Sequence, residues 1–242
     1  MKNKKILLLL IFILSFSCIA AENNNSIKEN NDFSYYDVYD PLEPLNKRIY
    51  YFNYQFDKYI FIPTTKIYHT ITPRIVRNGV NNFFCNTKNI STTGNSLAQF
   101  KLRKAMKALG RFTINIAFGF GGLYNAANDF GMPTPYEDFG LTLAHYGIPK
   151  GPYLVLPILG PSNLRDTLGL ATDWFSTRVA YSNTHVPDMN KPEVTLVQSI
   201  NKRDHIPFRY YGSGSPFEYE YVRFLYQKYR KLQSEVGNEV FW

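Results

Sequence analysis

Apolar residues recur at helical spacing along most of the chain. Between 45 and 60 the positions Leu45, Ile49, Phe52, Phe56 and Tyr59 fall on one side of a helix. Asp40-Pro41 and Glu43-Pro44 give it a rigid entry. Thr72-Pro73 marks a second start, with Ile75, Val76, Val80, Phe83 and Phe84 on one side. The clearest amphipathic pattern runs over 101–118: Leu102, Ala105, Met106, Leu109, Phe112 and Ile116 form the stripe, and Gly119 is the stop. A helix over 135–146 is expected to take Thr134 as its cap and Glu137 and Asp138 in its first turn, and to end at Gly147. Ser162 is the expected cap of a helix carrying Leu164, Leu168, Ala171 and Phe175. Ser215-Pro216-Phe217-Glu218 reads as a capping box opening a helix to about 235, with Tyr221, Leu225, Lys228 and Leu232 on one face. The pattern predicts a mainly α fold. The stripes are read first as its core, and second as faces for a membrane interface.

One stretch breaks the period. GPYLVLPILGPSNLRD, residues 151–166, sets three prolines and two glycines around an apolar run from Tyr153 to Leu159. Pro157 argues against a central strand because it lacks a ladder donor. The glycines and prolines argue against a helix. The run is therefore expected to be a bent loop.

The ends differ from the middle. Lys2, Lys4 and Lys5 precede an apolar run from Ile6 to Phe16 and then SCIAAE, the layout of an export signal over 1–21. Cys18 after Ser17 suits a lipidated cysteine, whereas Ser15 stands where an aliphatic residue is usual; the rival is cleavage after Ala20 or Ala21, which discards Cys18. Residues 22–38 are Asn-rich and polar, a flexible spacer, and 39–235 are the expected folded domain. Beyond the leader no segment holds about 18 consecutive apolar residues, so no helix is expected to cross a bilayer alone.

Composition adds two points. The 27 basic residues less the three leader lysines leave 24 against 19 acidic ones, a mildly basic chain. With no basic run or binding motif, and with an export signal, nucleic acid is not an expected partner; an anionic membrane surface is. Aromatics reach 17%, with 19 Tyr and 19 Phe, which suits either a large core or a membrane–water boundary.

Chemistry is sparse. His69, His145, His185 and His205 show no metal-ligand spacing, and neither HExxH nor CxxC occurs. GSGSP at 212–216 lacks the order of a nucleophile elbow. GFGG at 119–122 follows a helix, not a strand, so it is no phosphate fingerprint. Cys85 beside Phe83 and Phe84 reads as a small buried apolar residue. Glu137, Asp138 and Asp166 have Arg111 and Arg165 as candidate partners. Neither a metal nor a nucleotide cofactor is expected. A lipid hydrolase would have to assemble Ser162, His145 and Asp166.

Four ordered blocks carry a family resemblance. DFGLTLAHYGIPKGPYLVLPILGPSNLRD at 138–166 closely resembles the signature block of the MlaA/VacJ outer-membrane lipoprotein family. YDPLEPLNKRIYYFN at 39–53, through Asp40, Pro41, Leu42, Glu43, Asn46, Phe52 and Asn53, resembles its opening motif. RNGVNNFF at 77–84 and GRFTINIAFGFGGL at 110–123 resemble two more blocks. The likeness covers about 39–175 and thins over 176–214. It implies a single helical ring-like domain in the inner part of the outer membrane. A central amphipathic channel would let phospholipid leave the outer leaflet and pass to a periplasmic carrier of an ABC-transporter system, beside a trimeric porin. It also implies that Tyr153, Leu154, Val155, Leu156, Pro157, Ile158 and Leu159 line or gate the channel, with Gly147, Gly151, Pro152, Gly160 and Pro161 as hinges; the alternative is a plug in the ring's core. Arg165, Asp166, Arg111, Glu137 and Asp138 would brace the loop or meet the head group. A porin-associated structural lipoprotein without transport is the competing role.

Overall fold

Proline placement sets the first helical boundaries in the computed structural model, which describes residues 39–181, 191–212, 214 and 216–235. The leader, the spacer, Cys18 and Ser215 lie outside the described residues. Helix α1, Glu43–Phe56, takes Pro44 in its first turn, where no helical N–H is lost. It runs through a π-helical turn, Asp57–Phe61, into α2, Ile62–Ile71. Thr72 is extended, as a residue before proline should be, and ends α2. Helix α3, Arg74–Ala98, and helix α4, Leu102–Ala117, pack along each other. Short helices α5, Ala126–Asp129, and α6, Phe139–His145, follow. Strands β1, Tyr153–Leu156, and β2, Gly160–Asn163, form an antiparallel hairpin. Helices α7, Leu164–Tyr181, α8, Pro192–Asp204, and α9, Glu218–Glu235, complete the described chain. The fold is mainly α and a single domain.

Three local expectations are corrected. The sixth helix starts at Phe139, not near Pro135. Its cap is Asp138, whose carboxylate accepts from the Leu141 N–H at 2.7 Å. Pro133 and Pro135 flank Thr134, and the residue before a proline is biased away from helix, so Thr134 caps nothing. Ser162 lies in β2, its Oγ 2.9 Å from Thr167 Oγ1. The cap of α7 is instead Asn163, whose side-chain oxygen accepts from the Asp166 N–H at 2.8 Å. Finally, the Gly/Pro run is a hairpin rather than an irregular loop. Pro157 sits in its turn, and Pro161 opposes Val155, whose N–H is taken by Asn46. Both prolines thus occupy places where no ladder donor is needed.

The larger correction concerns direction. The apolar stripes are real, but most of their residues face outward, with Phe84 and Ala105 the buried members. In α4 Leu102, Met106, Leu109 and Ile116 are exposed, while Lys104, Ala105, Ala108, Arg111 and Asn115 are buried. In α1 Leu45 and Phe52 are exposed, while Asn46, Tyr50 and Asn53 are buried. In α3 Ile75 and Val76 face out, and Asn86, Thr87, Asn89, Thr92, Asn95 and Ser96 face in. Leu164, Leu168 and Phe175 of α7, and Tyr221, Leu225 and Leu232 of α9, are exposed as well. Cys85 is also exposed rather than buried. Among the described residues, 25 buried polar or charged side chains stand against ten buried apolar or aromatic ones. The interior is held mainly by hydrogen bonds.

Candidate functional site

The hairpin sits against α1 and α9. Its inward side chains, Tyr153 and Val155, join Tyr50 and Tyr219 in an apolar cluster of buried residues, bordered by Ile49, Tyr210, Val222 and Tyr226. Tyr153 and Val155 are fully buried there, which corrects the expectation that the whole apolar run faces a channel. Strand alternation is the reason: successive residues point to opposite faces. Leu154 and Leu156 are half-buried, and Pro157, Ile158 and Leu159 are exposed at the turn. The rings pack edge to face, Tyr50 against Tyr210 at 5.0 Å and against Tyr219 at 5.6 Å.

Two asparagines fasten the strand. Asn46 donates to the Tyr153 carbonyl at 3.0 Å and accepts from the Val155 N–H at 2.9 Å. Asn53, two helical turns on, donates to the Leu156 carbonyl at 3.0 Å and accepts from the Ile158 N–H at 2.7 Å. Each amide does what a neighbouring strand would do for the outer edge of β1. Asn53 also holds the turn residue Ile158 at φ 67°, a left-handed conformation costly for a β-branched side chain. Gly147, Gly151 and Gly160 are left-handed too, at φ 79°, 68° and 86°. Pro152 precedes β1, and its carbonyl accepts from the Leu164 N–H at 3.2 Å.

A buried ion cluster braces the other side. Arg230 of α9 places its Nε 2.7 Å and Nη2 2.8 Å from the two Asp166 oxygens. The same guanidinium reaches Asp138 at 2.7 and 3.1 Å. Tyr226 and Asn163 also donate to Asp166, at 2.8 and 2.7 Å. Arg165 adds a bond at 3.2 Å and another to the Ile148 carbonyl. Burial pushes the Asp166 carboxyl up, but the Arg230 bonds and charge, helped by Arg165 and Tyr226, outweigh it and hold the group below the usual carboxylate range. Gly140 and Gly169 let α6 and α7 meet here: a Cβ on Gly140 would lie 2.6 Å from Asp166 Oδ1, and one on Gly169 would lie 2.3 Å from the Gly140 nitrogen.

Glu137 and Arg111 have partners other than those expected. Glu137 is 2.9 Å from Lys101 and 2.7 Å from Lys104, and takes a bond from Gln99 at 3.0 Å. Burial raises its pKa, yet these donors leave it lowered overall. Arg111 pairs with neither Glu137 nor Asp138. It donates to the Met132 carbonyl and, at 2.9 Å, to Asn125 Oδ1. It thereby ties the 118–138 connection to α4, and burial lowers its pKa. Asn115 does similar work, accepting from the Ala127 N–H at 2.8 Å.

The hydrolase constellation is not assembled. Ser162 Oγ bonds Thr167, Asp166 is engaged by Arg230, and His145 is exposed with its ring against Tyr146 at 5.3 Å. Among the described residues no group of three or more His, Cys, Asp or Glu is placed to hold a metal ion. No helix of the described residues is long and apolar enough to cross a membrane.

Sequence reasoning missed Arg230, Arg223 and the strand-edge role of Asn46 and Asn53. Arg223 binds Asp40 and Glu43, each at 3.0 Å. The available signal was spacing: Asn46/Asn53 and Arg223/Arg230 are each seven residues apart, so each pair lies on one helix face.

The chain matches the MlaA lipoprotein family model over residues 38–233. It is 36% identical to an uncharacterised Rickettsia conorii protein, over 82% of this chain and 81% of that one. It is 36% identical to the Escherichia coli intermembrane phospholipid transport system lipoprotein MlaA, over 56% of each chain. The Haemophilus influenzae protein of the same name is 30% identical, over 72% of this chain and 68% of that one. A solved structure described as the structural basis for maintenance of bacterial outer membrane lipid asymmetry aligns with a TM-score of 0.63 at 26% identity, covering 82% of this chain and 99% of that one. This chain therefore belongs to the MlaA lipoprotein family.

Proposed function

We propose that this protein sits in the outer membrane and removes mislocalised phospholipid from the outer leaflet, keeping the two leaflets asymmetric. The single observation that carries this reading is the inverted polarity of its helices. Fully burying a Leu, Ile or Phe is worth about 1.5–3 kcal/mol, so long exposed stripes of them need a non-aqueous neighbour. Acyl chains fit, with a porin flank covering part of the surface. The buried amides and ion clusters give the helices an interior that does not depend on water exclusion by apolar packing.

A phospholipid needs an apolar path for its chains and a polar one for its head. In this reading the helices surround such a path, and the outward and turn residues of the hairpin, Leu154, Leu156, Pro157, Ile158 and Leu159, form its gate. Gly147, Gly151 and Gly160 set the hairpin's entry and turn. Asp166, Asp138, Arg165 and Arg230 brace it. No covalent step is needed. The leader over 1–21 delivers the chain across the inner membrane, Cys18 supplies a lipid anchor, and a periplasmic carrier takes the lipid onward. One anchor plus an apolar surface is a sufficient two-part attachment.

The test is complementation. Escherichia coli lacking its own MlaA would receive this chain, and outer-leaflet phospholipid would be measured. The expected result is restoration of a phospholipid-poor outer leaflet by the wild-type chain, and failure with Leu156→Asp at normal abundance. A wild-type chain that reaches the membrane but leaves the leaflet unchanged would overturn the proposal in favour of a structural role.

A further inference from the structure

A cleft of about 440 Å³ opens between α2 and α8, and none of the residues assigned to the gate lines it. Its walls include Lys66, His69, Arg203, Asp204 and Arg209. The acids at this cleft are already matched. Asp204 meets His69 and, at 3.5 Å, Arg77. Asp57, just behind it, holds Arg203 through a two-pronged contact, Nη2 to Oδ2 at 2.8 Å. Arg203 is further fixed by the Ile206 and Phe208 carbonyls at 2.8 and 3.0 Å. Lys66 and Arg209 have no carboxylate partner among the described residues; the contact Arg209 makes is to the Phe208 carbonyl at 3.3 Å. The cleft thus carries two cations in excess.

One lining residue, Ile62, is apolar. Ile206 and Phe208, which lie in sequence between the lining residues Arg203 and Arg209, are exposed as well. A guanidinium and an ammonium converging on a concave surface suit phosphate oxygens, the first as a fork and the second as a point charge. Ile62 and the exposed Ile206 and Phe208 suit acyl chains leaving that phosphate. Arg209 is also the neighbour in sequence of Tyr210, which packs on Tyr50 behind the hairpin.

We propose that this cleft binds the phosphate of an anionic phospholipid, with Lys66 and Arg209 as its ligands and Ile62, Ile206 and Phe208 along the lipid's chains. The proposal rests on the reading that the protein handles phospholipid. It adds a head-group station separate from the gate.

The test uses the full chain in neutral detergent and phosphatidylglycerol with a photoreactive group on one acyl chain. Peptides spanning 62–71 and 206–208 should be labelled in the wild type. Labelling there should fall at least tenfold in the double variant Lys66→Gln, Arg209→Gln and persist in Lys66→Arg, Arg209→Lys. Both side chains are outside the ion clusters, so circular dichroism should be unchanged. A diacylglycerol with the same photoreactive chain but no phosphate should label these peptides no better than the Gln variant does. Equal labelling by that diacylglycerol, or undiminished labelling of the Gln variant, would overturn the proposal. Full competition by inorganic phosphate would assign the cleft to a free anion and overturn its lipid part. The complementation assay is independent, so a chain that clears the outer leaflet yet shows no labelling here loses the station and keeps the function.

Discussion

The hairpin end and the α3–α4 pair solve the same problem in opposite ways. Around the hairpin the interior is aromatic and ionic: four buried apolar side chains, Tyr50, Tyr153, Val155 and Tyr219, are ringed by Asp40, Glu218, Arg223, Asp166 and Arg230. Along α3 the interior is largely amide and hydroxyl: Asn86 takes bonds from Asn89 at 3.1 Å and, across to α4, from Asn115 at 3.2 Å, and Thr142 of α6 donates to Asn95 at 3.0 Å. Outside, both regions display apolar side chains. A helix bundle in water would place these the other way round. The difference teaches that the hairpin end is fixed by charge pairing at a few atoms, whereas the helix pair is fixed by many weaker bonds and by whatever covers its outer face. Each region should therefore break differently.

The largest effect is expected at Arg230. Among the described residues it is the one guanidinium bonded to both Asp138 and Asp166; Arg230 and Asp166 are buried and Asp138 is partly buried. Arg230→Ala leaves the buried Asp166 and the partly buried Asp138 without their main partner, a loss of about 3–5 kcal/mol. For a domain of this size that lowers the melting temperature by roughly 10 °C. Thermal unfolding in neutral detergent checks it. A shift as small as that of a surface arginine would show that the cluster is not what holds the hairpin end.

Acid should act on both regions, through different carboxylates. Asp166 and Glu137 both have lowered folded pKa values, the first set by burial against Arg230 and the second by burial against Lys104, Gln99 and Lys101. A depressed carboxyl contributes stability above its unfolded pKa, about 4, and loses it as pH falls through the folded value. Stability should be flat near neutrality and drop below about pH 4. Arg230→Ala should flatten the Asp166 part of that drop, and a Lys101→Met, Lys104→Met pair the Glu137 part. Melting curves from pH 7 down to 3 separate them.

How much of this was legible follows from what periodicity measures. Leu102, Met106, Leu109 and Ile116 mark a helix face, and the helix is there. The period says nothing of which side that face turns to. The clue was the other face: Lys104, Arg111 and Asn115 share a side with Ala108, and small plus polar residues at close helix contact mean amide packing, not solvent. The cap at Asp138 was displaced from Thr134 because two prolines flank Thr134. The hairpin was hidden because Pro157 argued against a central strand, when it lies in a turn between two short strands; Pro161, within β2, opposes an N–H already used by Asn46. Arg230 was invisible for a different reason. Its partners are 64 and 92 residues away in sequence, and no local pattern joins them.

A further comparison sharpens the contrast of inside and outside. Asn46→Ala leaves the Tyr153 carbonyl and Val155 N–H unpaired in a buried place and should cost about 1–3 kcal/mol. Met106→Ser, on the exposed stripe of α4, should change stability in detergent by less than about 0.5 kcal/mol. In membranes the order reverses. Met106→Ser with Leu102→Ser should weaken retention in the outer-membrane fraction, while Asn46→Ala should not until the protein unfolds. Fractionation after high-salt washing reads this directly.

The smallest effect is at the hairpin tip. Ile158 is 47% exposed and holds φ at 67° with its N–H on Asn53. Replacing it with alanine removes the side chain and keeps the strain. Replacing it with glycine removes the same contacts and relieves the strain, which is worth about 1 kcal/mol for one residue. Ile158→Gly should therefore be more stable than Ile158→Ala by about that amount, measured as paired melting curves. The backbone argument fixes that order, and the gate proposal adds a second: both variants should clear outer-leaflet phospholipid less well than the wild type, because both lose the exposed apolar tip. If Ile158→Gly is more stable and clears lipid as the wild type does, the strained tip belongs to the turn alone, and the gate narrows to Leu154, Leu156 and Leu159.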